Sequence, residues 1–169
     1  MDVARRTGLR RAYLNLGSGE LSAAATFAAV AVGVAMPRLE ARDERFALWC
    51  ALAPLLVVLL HAGAYWLCAR SWVGRAPMPA AVAAIYRGFR LLDAALLFVG
   101  LVGLVRWWPQ HLGIGCALGF VWLFGVVEYL NYFVVRLSYP LRTWSTKVRG
   151  WRTPRLVKDL NQSRHRQDR

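Results

Sequence analysis

Glu128, Asn131 and Tyr132 stand close together inside an apolar run, 112–135, long enough to cross a bilayer. On a helix Glu128 and Asn131 are one turn apart and share a face, with Tyr132 beside them and Gly125 leaving space. A carboxyl group in such a run is costly unless it meets a partner, which makes it the chain's strongest pointer to chemistry. His61 is the one strongly polar residue of another long apolar run, 46–69, and Tyr65 lies one turn further along its face.

Depth ties the two groups together. Counted at about 1.5 Å per residue, His61 lies roughly 13 Å from Arg70, and Glu128 lies roughly 12 Å from Arg136. Both runs head the same way across a bilayer, so the imidazole and the carboxyl group fall at matching depth. The expected site is therefore a polar pocket of His61, Tyr65, Glu128, Asn131 and Tyr132. It could carry a proton, a cation or a lipid head group. The alternative is structural: a protonated or hydrogen-bonded Glu128 and a packed His61 that lock helix to helix. Asp93 reads differently, because Arg90 is three residues away on the same helix and offers a local ion pair.

Other chemistry finds no support in the motifs. There is no GxxxxGK[ST] to cradle phosphates and no HExxH, and the three histidines are scattered. No GxSxG nucleophile elbow occurs. Cys50, Cys68 and Cys116 each lie in an apolar run without CxxC or Cys/His spacing, so neither a metal site nor another cofactor is expected. Cys50 and Cys116 fall at similar depth and could be bridged if their helices touch; two free thiols are the simpler expectation.

The elements that must position these groups follow from composition. Of 169 residues, 57% are hydrophobic and 18% charged, more apolar and less charged than a soluble domain. The expected fold is an all-α bundle of four membrane helices, spanning about 21–36, 46–69, 88–108 and 112–135. A basic arm, 1–20, precedes it, closing on Gly17-Ser18-Gly19, and a basic, partly amphipathic tail, 136–169, follows. The first span is short unless it borrows from the arm, and with that arm it also matches a cleaved secretory signal. Ala24, Ala28, Ala31 and Ala35 give it a small-residue face for a neighbouring helix, and Gly115 with Gly119 forms a GxxxG pair in the fourth.

Net charge is +13, from 22 basic and 9 acidic residues. In a soluble chain that excess would suggest nucleic acid; between apolar runs it is better explained by the positive-inside rule and anionic lipid. The arm, the second loop and the tail hold 18 Lys and Arg, against four (Arg38, Arg42, Arg45, Arg106) on the other side. Both termini are therefore expected in the cytoplasm and the chain in a cell membrane, of bacterial plasma-membrane type, as a multi-pass protein. In the tail, Arg142, Lys147, Arg149 and Arg152 alternate with Trp144, Val148 and Trp151, a pattern suited to an anionic lipid surface.

Two functions remain open from the sequence, and the first is preferred. It is a non-catalytic membrane adaptor or assembly component, binding a partner helix or a second copy through its small-residue faces and anionic lipid or a cytoplasmic protein through its tail. The other is a small proton- or cation-coupled transporter or channel using Glu128. No enzyme is expected, and nucleic acid is disfavoured as a partner.

Overall fold

Arg42 to Trp72 forms the helix on which the others are assembled. In the computed structural model, which describes residues 3–134 together with 154, 156 and 157, this is α2, Arg42–Trp72. It follows α1, Val3–Val30, and precedes α3, Ala80–Arg106, and α4, Leu112–Phe133. All four helices are long and apolar enough to cross a membrane. The 31 residues of α2 extend about 46 Å, well beyond a hydrocarbon core of about 30 Å. The described residues contain no strand.

Successive helices run antiparallel and pack side by side. α2 also packs along α4, so three helices surround it. Burial reflects this: 56% of the most apolar stretch of α2 is covered, against 28% or less in the other helices. The same composition therefore plays two parts. In α2 the apolar residues fill the core, with Leu52, Leu55, Val58 and Leu59 almost wholly enclosed. In α3 and α4 residues such as Leu91, Phe98, Val105 and Phe120 point outward, where a bilayer favours them.

The first helix departs from expectation. The arm anticipated over 1–20 is helical from Val3, and Gly17-Ser18-Gly19 continues the helix instead of loosening it. Gly17 is used for packing. A methyl group there would lie 2.9 Å from Leu67 and 3.0 Å from the Gly63 carbonyl oxygen, and one on Gly63 would lie 2.9 Å from Leu21. The two glycines let α1 and α2 approach closely, and Ala24 and Ala31 extend the contact as the small-residue face predicts. The membrane-crossing stretch thus becomes Arg6–Arg38, no longer short.

Near its far end the helix changes pitch for an identifiable reason. Pro37 has no amide hydrogen to give, and just before it the turn Ala31–Ala35 widens to a π-helix, with Met36 N–H bonding Ala31 O. A tight turn, Met36–Arg38, then ends the element, and Arg38 Nη1 covers the Val34 carbonyl at 2.7 Å.

Pro54 shapes the α2–α3 contact in a related way. It sits inside α2 and supplies no N–H to the Cys50 carbonyl four residues earlier. Gly100 of α3 packs directly on that carbonyl; a methyl there would strike Cys50 O and come within 2.9 Å of Pro54 Cγ. A methyl on Gly103 would instead strike the Cys50 thiol. Cys50, Cys68 and Cys116 are all free thiols.

The GxxxG pair of α4 is filled at one of its two glycines. A methyl on Gly115 would lie 2.6 Å from the Trp108 indole, so that ring of the preceding turn already fills the notch, while Gly119 faces open space. Gly115→Leu is expected to expel Trp108, visible as a red shift and easier quenching of tryptophan emission without loss of helicity. The tail expectations at Arg142, Lys147, Arg149 and Arg152, and the helix break at Ser138-Tyr139-Pro140, lie outside the described residues.

Candidate functional site

Two polar centres emerge, and they divide the residues that the sequence placed in one pocket. The first joins α2 to α3. His61 Nδ1 lies 2.9 and 3.2 Å from the two carboxyl oxygens of Asp93, a residue with no exposed surface. Phe89 stacks on the imidazole at 3.7 Å and 7°, and Tyr86 Oη donates to the His61 carbonyl at 3.1 Å. Asp93 thus pairs across helices with His61, and the local pair with Arg90 does not form. Arg90 instead contributes its carbonyl oxygen, which accepts from Tyr129 Oη at 3.3 Å.

The separation has a geometric cause. His61 and Tyr65 are one turn apart on the α2 face turned to α3, where Tyr65 is wholly buried against Tyr86 and Trp66. Equal depth did not bring His61 to Glu128, because α4 approaches α2 from a different side. The α2 residue that reaches the fourth helix at this level is Trp66, whose Nε1 donates to Tyr132 Oη at 3.4 Å.

The second centre is a half-open cleft of about 460 Å³ between α1 and α4. Its polar end is made by Glu128, Asn131 and Tyr132 of α4 and by Glu20 of α1. Tyr132 Oη donates to the Glu20 carboxylate, and the Asn131 side chain hydrogen-bonds Glu128. Glu20 and Glu128 stand near enough to act on each other electrostatically. Among the described residues no Arg or Lys forms an ion pair with either glutamate. The remaining wall is apolar or aromatic: Leu9, Tyr13 and Leu16 from α1, Trp66 behind them, and Pro154 and Leu156 at one edge. Leu156 is itself packed into the cluster of Tyr13, Tyr132 and Phe133.

Three of the five expected residues therefore meet in this cleft, while His61 and Tyr65 lie elsewhere. Glu20 and Trp66 were missed. Glu20 was assigned to an arm outside the membrane, although it lies nine residues beyond Arg11, roughly 13 Å along a helix, the same depth as Glu128. Reading the helix through Gly17 would have revealed it. Among the described residues no group of three or more His, Cys, Asp or Glu side chains could hold a metal ion.

Fold and site together define a class: an all-helical protein with four helices able to cross a membrane, a buried His–Asp link and a two-carboxyl cleft. Compared with protein-family models, curated proteins and solved structures, the chain matches none.

Proposed function

We propose that this is a multi-pass membrane protein that binds a cation in the α1–α4 cleft, as a small cation- or proton-coupled carrier does. One observation carries the reading. Two neighbouring acids line a cavity, and among the described residues neither has a basic partner. Two carboxylates side by side repel, more so in surroundings of low polarity, and the repulsion is relieved by a proton or a bound cation. The site would bind without making or breaking covalent bonds. The excess of Lys and Arg in the N-terminal segment, around the α2–α3 turn and in the sequence after α4 supports a cytoplasmic location for that end of the bundle, with the cleft opening in the inner half of the bilayer. Anionic lipids are the expected neighbours of this basic end.

The adaptor reading draws on the tail and on small-residue faces. One of those faces, at Gly115, is occupied by Trp108, and the alanine face of α1 is spent on α2, which favours the cleft.

A hydrophobic carbodiimide, which modifies protonated carboxyl groups, provides the test. In lipid nanodiscs Glu128 should be modified, as read by peptide mass spectrometry. A panel of sodium, potassium and tetramethylammonium should include at least one ion that slows the reaction about fivefold or more. Glu20→Gln should abolish that protection while leaving Glu128 reactive. If no cation protects Glu128, the reading is wrong.

A further inference from the structure

We infer that the cleft selects an amphipathic organic ammonium ion, a positively charged tertiary or quaternary amine bearing an apolar chain. The inference rests on the cation-binding reading above and names its ligand class. An inorganic cation is held by a shell of close oxygen ligands, whereas the side-chain oxygens lining this cleft belong to two carboxyl groups, one amide and two phenols, in a wall that is otherwise apolar or aromatic. Its volume of about 460 Å³ is that of a small-molecule site, far more than a bare ion needs.

The aromatic side chains point to the same ligand independently of the acids. Tyr13 meets Trp66 edge to face, with centroids 5.0 Å apart at 65°, and Trp66 meets Tyr132 at 6.5 Å and 67°. Rings so arranged make a concave corner instead of a flat stack, and all three line the cleft. Aromatic walls beside carboxylates are the chemistry that recognises alkylated ammonium groups, which have few or no N–H donors to satisfy and are attracted to π faces. The chain of hydrogen bonds from Trp66 to Tyr132 to Glu20 holds two of these walls and one acid in register. Leu9 and Leu16 extend the apolar lining, so a hydrocarbon chain would lie along α1 while the charge sits between the glutamates. A zwitterionic lipid is a poorer fit, because its phosphate would follow its amine towards two carboxylates.

The test uses the full chain in phosphatidylcholine nanodiscs with dodecyltrimethylammonium as probe, tetramethylammonium and sodium as comparators, and carbodiimide modification of Glu128 as readout. Dodecyltrimethylammonium should protect at a concentration at least tenfold below tetramethylammonium. Because the amphiphile also concentrates in lipid, Trp66→Leu and Trp66→Phe separate site from bilayer. Leucine should weaken protection by the amphiphile about fivefold or more and phenylalanine should largely retain it, with helicity by circular dichroism confirming that both fold. Equal protection by the chain-bearing and chainless ions, or no effect of Trp66→Leu in a folded protein, overturns the inference and leaves the cation site standing. Protection by none of the three ions removes both. Protection by phosphatidylethanolamine nanodiscs without any probe would assign the ammonium to a lipid head group and overturn the requirement for net positive charge.

Discussion

Replacing His61 with phenylalanine should destabilise the bundle by about 3 kcal/mol or more, the scale on which a buried ion pair fails when one partner is removed. Phenylalanine keeps the stacking against Phe89, so the loss isolates the bond to Asp93. The reason for a large effect lies with the residue left behind. Asp93 has no exposed surface, and among the described residues its only hydrogen-bonding partner is His61. Without it the carboxyl group must stay charged and unpaired or take up a proton with no acceptor for it. Asp93→Asn should cost less, because an amide fills the same space and can still hydrogen-bond the imidazole, which retains some solvent access. An ordinary hydrogen bond between membrane helices contributes only about 0.6 kcal/mol, so the two outcomes are well separated. Unfolding in mixed micelles titrated with dodecyl sulfate gives the difference directly. The double variant His61→Phe with Asp93→Leu should recover more than half of the loss, since apolar replacements often match a buried pair. A His61→Phe cost below about 1 kcal/mol would mean that the pair is not ionic.

Gly100→Ala is expected to destabilise by up to about 3 kcal/mol, the range found for overpacking. In an isolated helix the same change gains about 1 kcal/mol, so the sign depends on what the new methyl meets. At Gly100 it meets a backbone carbonyl, Cys50 O, in a segment stiffened by Pro54, and neither can turn aside. At Gly103 the severe clash is with the Cys50 thiol, which can change rotamer, and the next neighbour is Cys50 Cβ at 3.1 Å. Gly103→Ala should therefore be milder, and Cys50→Ala should relieve most of its cost while leaving Gly100→Ala unrelieved. Rescue of both by Cys50→Ala would show that the carbonyl contact does not limit the approach of α3. The same micellar unfolding measures all four variants.

These two contacts mark where reading the chain by itself stops. That Pro54 lies within a helix and that Gly100 and Gly103 are small is plain from the residues. That the carbonyl left without a donor by the proline is the surface on which Gly100 rests depends on the rotation of two helices about their axes. Such rotations are chosen by packing over many residues, not by any local pattern.

The linear chain determined a good deal. Four apolar runs and the asymmetry of charge follow from the cost of placing backbone and charge in hydrocarbon, with the bounds of α2 and α4 within a few residues, whereas α3 begins at Ala80, eight residues before the expected span. The alanine face of the first helix and the shared face of Glu128, Asn131 and Tyr132 were visible in the sequence, since spacing of about 3.6 residues maps directly onto a surface. Tertiary structure decided the partners. His61 and Glu128 share a depth but not a direction, so His61 pairs with Asp93 while Glu128 bonds Asn131 and shares its cleft with Glu20. The place of Glu20 in the bundle follows from the contact of Gly17 with α2, because a glycine taken alone suggests a loose chain and set against Gly63 becomes a packing surface. Depth is a property of one helix and is written in its sequence; adjacency belongs to two helices and exists only once they have packed.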